Sequence, residues 1–253
     1  MILSLLNKIM IAKVTFFLSG FMLCFFTSQA QRSNDAGMWN TLTIQHSFTK
    51  KVNLVIDQEF RLRENYQRIN LFYTNIGIDY KYSKFLKISP TYRAIQKKRI
   101  DGTYSHRHRL MLDVTLKKKL KKVTLSERIR YQAEVQDFYT SRKGKLVEQF
   151  LRFKTDVKYA ATDRITPYYS IEFRYQIHAP RGDGPLYDNG FRRVRNVLGV
   201  EYEINKKNSV NVYYLYQTEF TISTPETIFI LGIGYTLTIY KNKSIRVQFI
   251  YRF

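Results

Sequence analysis

Arginine recurs in this chain in pairs set two residues apart: Arg61 and Arg63, Arg107 and Arg109, Arg128 and Arg130, Arg193 and Arg195, with Arg93, Arg152 and Arg174 standing singly between them. In extended chain, residues two apart share a face, so each pair projects two guanidinium groups to one side. A planar guanidinium grips a carboxylate, sulfate or phosphate through parallel hydrogen bonds. The chemistry this offers is attraction of small anions. Asp79, Asp113, Asp156, Glu172, Glu201 and Glu219 fall on the same faces, which leaves two readings open. Either the charges cancel in ladders across strands, with Asp113 near Arg128, Arg152 near Glu172 and Arg195 near Glu219, or a cationic surplus remains to draw anions in.

The elements that must hold these side chains are strands. From Met38 onward twelve alternating segments follow one another, separated by polar turns, with no convincing helical period. Leu42, Ile44, His46 and Phe48 lead into Thr49-Lys50-Lys51, and Val52, Leu54, Ile56, Phe60 and Leu62 lead out, alternating with Asn53, Asp57, Glu59, Arg61 and Arg63. One face is apolar and the other charged. Pro90 interrupts the fourth segment, where the missing amide predicts a bulge or a weakened strand. A dense lysine turn is expected over Lys117 to Lys122, and a long polar loop over His178 to Gly190. Gly77, Gly199, Gly232 and Gly234 sit within strands, as tight curvature demands.

Both ends of the chain say where such strands belong. Lys8 and Lys13 precede an apolar run from Val14 to Phe26, and Ser28-Gln29-Ala30 has small residues where a signal peptidase reads, so residues 1–30 read as a cleaved signal peptide and 31–253 as the mature domain. The one cysteine, Cys24, lies in the discarded part. The mature domain can therefore form neither disulfides nor thiolate metal sites. Removing Lys8 and Lys13 from the formal charge of +22 leaves +20, and export argues against nucleic acid as the partner of that charge. Anionic lipid or an anionic solute fits better. The last ten residues, Ser244 to Phe253, alternate strictly and end on aromatics, Phe249, Tyr251 and Phe253. Such an ending resembles the signal read by the machinery that inserts outer-membrane barrels.

Together these features predict an all-β fold, a closed antiparallel transmembrane β-barrel of about twelve strands, ten to twelve, in a bacterial outer membrane. Only alternate residues of such strands meet lipid, so modest hydropathy is compatible with a membrane. Tyr and Phe, numbering 20 and 18 against one Trp, suit interfacial girdles. An even strand number would close without edges. The arginines would face the lumen, with Arg61, Arg63, Arg93, Arg107, Arg109, Arg193 and Arg195 at the long-loop mouth, Arg128, Arg130, Arg152 and Arg174 nearer the middle, and Asp79, Asp113, Asp156 and Glu201 toward the short-turn end. Rows of arginine so placed are similar to those of small twelve-stranded channels for acidic oligosaccharides.

Catalysis and metal binding find little here. A barrel lipid hydrolase needs Ser and His together near the lipid interface with a third, orienting group. Alternation sends His106 and His108 outward and Ser105 inward, and His46 and His178 stand alone. No carboxylate or histidine cluster has ligand spacing, and Gly182-Asp183-Gly184-Pro185 reads as a turn rather than a phosphate cradle. No cofactor is called for. Glu127 would face lipid by parity, so a bulge turning it inward is expected.

The exported start, the Gly37-Met38-Trp39 opening, paired strands joined by Lys/Asn turns and the Arg-rich fifth to seventh strands resemble the family numbered domain of unknown function 2490, read as outer-membrane β-barrels. That resemblance implies the fold and no activity. The expectation is a small passive channel with an Arg-rich lumen favouring anions. The alternatives are a non-conducting structural or partner-binding barrel, with Phe138 to Lys145 and His178 to Gly190 as its contact loops, and, least favoured, a lipid-modifying enzyme.

Overall fold

The computed structural model describes residues 34–99, 101–136, 146–179, 189–205, 208–220, 226–240 and 250–252. The expected signal peptide, the contact loops expected between Phe138 and Lys145 and over most of His178 to Gly190, and Phe249 and Phe253 of the terminal signal lie outside the described residues. Twelve strands occur in order: β1 (Asn34–Ser47), β2 (Val52–Arg63), β3 (Arg68–Lys81), β4 (Leu86–Lys98), β5 (Tyr104–Leu120), β6 (Val123–Gln136), β7 (Glu148–Tyr159), β8 (Ile165–His178), β9 (Gly190–Asn205), β10 (Asn208–Glu219), β11 (Glu226–Tyr240) and β12 (Ile250–Arg252).

Strands β1 to β11 pair antiparallel with their sequence neighbours and the sheet closes on itself. The closure differs from the one expected. β1 runs parallel to β11, from Asn34 opposite Thr227 to Ser47 opposite Tyr240. β12 is a three-residue piece that pairs with Thr41 to Thr43 of β1 and with Gly234 of β11. The reason is one of parity: in a meander of eleven long strands the first and last point the same way, so the wall can close only in parallel. The strand count of about twelve stands, with eleven long strands forming the wall among the described residues.

Burial along the strands is inverted relative to a water-soluble barrel. In β6, Leu125, Ile129 and Tyr131 are exposed, while Arg130, Gln132 and Glu134 turn inward. In β5, Leu110, Leu112, Val114 and Leu116 are exposed and Asp113 is buried. A contiguous belt of exposed apolar side chains around a polar interior is unfavourable in water and favourable in lipid. The chain forms a transmembrane barrel of the outer-membrane type.

The short turns share a device. Thr49 Oγ1 accepts from the amides of Lys51 and Val52 at 3.1 and 3.0 Å, Ser83 Oγ from Phe85 and Leu86 at 3.2 and 3.1 Å, Thr162 Oγ1 from Arg164 and Ile165 at 3.3 and 2.9 Å, and Asn205 Oδ1 from Asn208 at 3.0 Å. Each opens with a short polar side chain that stands in for a backbone carbonyl and fixes the hairpin register. The expected lysine turn over 117–122 is shorter than predicted. β5 continues to Leu120 opposite Val123, leaving Lys121 and Lys122 as the turn, with Lys121 at φ 50°.

Two further expectations change. Pro90 creates no bulge but weakens the strand, the other expected outcome: β4 stays in one register against β5, with Pro90 opposite Leu112, and against β3 the same register holds on either side of a short gap in the ladder between Thr91 and Ile88. The proline faces outward, and across the gap Gly77 lets the chains approach, since a Cβ there would meet Thr91 Oγ1 at 2.6 Å. Glu127 is not turned inward either. The register through Leu116, Glu127 and Thr155 is regular, so period two sends Arg128 in and Glu127 out. It lies close to the β5–β6 turn, where an outward carboxylate costs less than at mid-membrane, and the Thr155 hydroxyl donates to it at 2.8 Å.

Candidate functional site in the barrel lumen

Alternation projects the arginines expected in the lumen into a shared cavity of about 1030 Å³; Arg61, Arg63, Arg93, Arg107, Arg109, Arg128, Arg130, Arg152, Arg174, Arg193 and Arg195 all line it, as do Asp79, Asp113, Asp156, Glu172, Glu201 and Glu219. The same lining also holds Arg192, four lysines and the carboxylates of Asp57, Glu59, Glu134 and Glu148. The sixteen cationic side chains of this lining meet ten carboxylates within it, and Arg63 also meets Asp35 and Glu226 at the mouth, which leaves a surplus of four.

Arginines outnumber carboxylates, so carboxylates are shared. Glu172 on β8 accepts from Arg152 on β7, from Arg128 on β6 at 2.6 Å and from Arg195 on β9 at 3.4 Å. Asp113 is gripped by Arg130 through Nε at 2.5 Å and Nη2 at 2.7 Å, with Arg128 at 3.7 Å. Glu134 holds Arg109 at 2.7 Å and Arg107 at 3.6 Å. Glu219 pairs with Arg193, at 2.5 Å. At the edge of β1, Arg63 bridges Asp35, at 2.7 Å, and Glu226.

The expected pairing of Arg152 with Glu172 is present. Asp113 takes Arg130 as its principal partner because the two face each other in register, and Glu219 takes Arg193 for the same reason. Arg195 turns instead to Gln217, at 2.6 Å, and to Glu172. Nine of the eleven arginines singled out in the sequence thus have a carboxylate partner, and the remaining two, Arg93 and Arg174, have none among the described residues. Arg93 donates to Asn75 at 2.6 Å and lies 3.6 Å over the Tyr73 ring, and Arg174 lies 3.7 Å over Phe150.

Aromatic rings tie the guanidinium groups into a layer. Arg195 and Arg61 flank Trp39 at 5.1 and 3.5 Å, and Tyr73 lies between Arg61 and Arg93, at 5.4 and 3.6 Å. Glu59 sits beside the stack, accepting from Arg61, from Thr41 at 2.6 Å and from the Tyr73 hydroxyl at 2.5 Å. Stacking on a ring face stabilises a desolvated cation without neutralising it. Charge therefore persists in this layer.

Toward the short-turn end the cations are lysines. Lys87 meets Asp79 at 2.7 Å, Lys154 meets Asp156 at 2.6 Å, and Lys158 meets Glu201. One wall of the lumen is apolar: Trp39, Tyr168, Tyr213, Leu215, Ile228 and Ile230 pack together with Val197. Two glycines make room for it. A Cβ on Gly199 would meet the Tyr168 ring at 2.6 Å, and one on Gly232 the Tyr213 ring at 2.0 Å.

Sequence reasoning puts Glu59 on the charged face and Trp39 in the opening motif without giving either a luminal role, and it leaves out Glu134, Tyr73 and this apolar wall. Parity was the available signal, since Glu59 shares its face with Arg61 and Glu134 with Arg130. The expected polarity of the lumen is softened accordingly, because Glu59, Glu134 and Glu219 stand among the arginines. Outside the barrel, the Tyr92 hydroxyl and His108 Nδ1 are 2.6 Å apart. Ser105 is buried on the opposite face of β5, so that strand brings no serine to the histidine.

No curated protein sequence matches the chain. Among solved structures it resembles the NanC porin, at 12% identity and TM-score 0.46 over 86% of this chain and 95% of that one. It also resembles the KdgM porin, at 13% and 0.43 over 86% and 99%. A third likeness is to the translocator domain of the autotransporter NalP from Neisseria meningitidis, at 12% and 0.42 over 87% of each chain. Likenesses this distant carry no argument about activity. The family model described as protein of unknown function (DUF2490) matches residues 36–228. The match takes in the Trp39 opening and all of β2 to β10, most of the chain, and the chain belongs to the DUF2490 family.

Proposed function

We propose that the protein resides in the bacterial outer membrane after export through a cleaved signal peptide, and acts there as a narrow, non-catalytic pore favouring small anions. The observation that carries this reading is the surplus of four cationic side chains in the lumen. Arg93 and Arg174 stand on aromatic rings with no carboxylate at ion-pair distance among the described residues. The Nε groups of Arg128, Arg152, Arg174 and Arg193 are buried without a hydrogen-bond partner, and buried donors of this kind are satisfied by water or by an anion. A cationic constriction selects anions by replacing part of their hydration with fixed donors.

A second reading, a non-conducting barrel, is favoured by a different observation. Gln132, Glu134 and Ser170, all lumen-facing, are 0%, 2% and 1% exposed, so this part of the lumen is packed with side chains. One experiment separates the two. The protein is extracted from outer membranes, where a chain beginning at Gln31 is expected, and reconstituted in planar bilayers under a salt gradient. Discrete anion-selective openings are expected, with selectivity reduced at least severalfold in Arg93→Gln with Arg174→Gln. An electrically silent barrel that still shows heat-modifiable migration would sink the pore and leave the second reading.

A further inference from the structure

We infer that the short-turn rim of the barrel is a docking surface for the phosphate groups of membrane lipid, and that this is the rim facing away from the cell. The inference rests on the outer-membrane placement above and not on conduction.

Every fully described short turn carries a cation: Lys50 and Lys51 between β1 and β2, Lys84 between β3 and β4, Lys121 and Lys122 between β5 and β6, and Arg164 between β7 and β8. All six are exposed. Carboxylates nearby are few, with Asp163, Glu203 and Glu127 the exposed ones among the described residues. Immediately inside this rim the outer surface carries exposed aromatics, Phe48, Tyr82, Phe85, Tyr159 and Tyr202. Aromatic side chains of this kind settle at the edge of the hydrocarbon. Lys50 follows Phe48 by two residues at the tip of the same turn. Its ammonium therefore reaches the depth of lipid phosphates, as does that of Lys84, which lies between Tyr82 and Phe85.

Lysine suits this partner, because a flexible, strongly hydrated ammonium follows a mobile headgroup without demanding fixed geometry. The opposite mouth differs. Its described connections mix signs, with Glu64 accepting from Arg68 at 2.8 Å and Asp101 two residues from Arg99. β1 begins at that mouth and β12 runs back toward it. In a chain inserted from the periplasm, the mouth where the first strand starts and toward which the last one runs stays inside, and the lysine rim faces out.

The test is lipid retention by the full mature protein, purified from outer membranes in detergent and weighed intact by native mass spectrometry. Three probes are used: a bisphosphorylated diglucosamine lipid, the same lipid with its phosphates removed, and inorganic phosphate. The unaltered protein is expected to retain the phosphorylated lipid at least ~10-fold better than the dephosphorylated one, since each rim lysine near an anionic surface contributes separately. Replacing Lys50, Lys51, Lys84, Lys121 and Lys122 by Gln should abolish that preference. Replacing Arg68 and Lys98 by Gln at the other mouth should leave it intact.

Equal retention of the two lipids by the unaltered protein overturns the proposal even if the five-site variant fails to fold. So does loss of the preference in the opposite-mouth variant. Displacement of the lipid by equimolar inorganic phosphate overturns the lipid as the source of the phosphate. An electrically silent barrel leaves the proposal standing, because the readout needs no conduction.

Discussion

In one half of the lumen carboxylates are met by arginine, and in the other by lysine. Glu172 gathers Arg128, Arg152 and Arg195 from three strands, and with Arg152 it is nearly sealed from solvent, their side chains 8% and 10% exposed. Lys158 and Glu201, toward the short turns, pair one to one and are each 36% exposed. The difference follows from the donors. A guanidinium offers a planar fork that can hold a carboxylate, stack on a ring and still reach a second acceptor, whereas an ammonium is a hydrated point charge on a flexible stem. The arginine half is therefore built to hold a shape. The lysine half neutralises charge while staying wet.

The largest effect that could break this contrast is expected from Glu172→Gln. Three guanidinium groups would lose their shared carboxylate, and removing one partner from a buried ionic cluster costs about 3 to 5 kcal/mol. Urea unfolding in lipid vesicles, followed by the fluorescence of Trp39, the one tryptophan, measures it. A change below about 1 kcal/mol would mean the hub is as solvated as the lysine end.

A middle-sized effect belongs to Trp39→Leu. The ring lies between Arg61 and Arg195, and each stacked contact contributes about 0.5 to 2 kcal/mol. The expected loss is about 2 kcal/mol by thermal circular dichroism, together with a wider and less selective conductance under the pore reading. The smallest effect is expected from Lys158→Gln. An ion pair this exposed is worth under about 1 kcal/mol and weakens with salt, so its unfolding midpoint should match that of the unaltered barrel. A large loss there would erase the distinction between the halves.

Much of this architecture could be read in advance, for a local reason. A strand's two faces are fixed by odd and even positions alone, so the inward arginines and the outward Leu110, Leu112 and Leu116 follow from parity. Glu127 was misjudged by distrusting that parity: the rule held, and nearness to a turn with a Thr155 hydroxyl supplied what a bulge was invoked to supply. The lysine turn after β5 was overestimated because lysines can continue a strand where they reach water. The apolar wall was missed because Ile228 and Ile230 lie in a strand that is apolar on both faces, where alternation leaves no mark.

The sequence by itself determined which side chains point inward, where the hairpins turn and that the belt is greasy, because each depends on neighbours one or two residues away. Only the tertiary structure decided that β1 closes against β11, that Arg128 reaches across β7 to Glu172, and that Trp39 meets arginines from β2 and β9. Those partners are far apart in the chain and meet through the curvature and closure of the whole wall. A period of two residues carries no information about either.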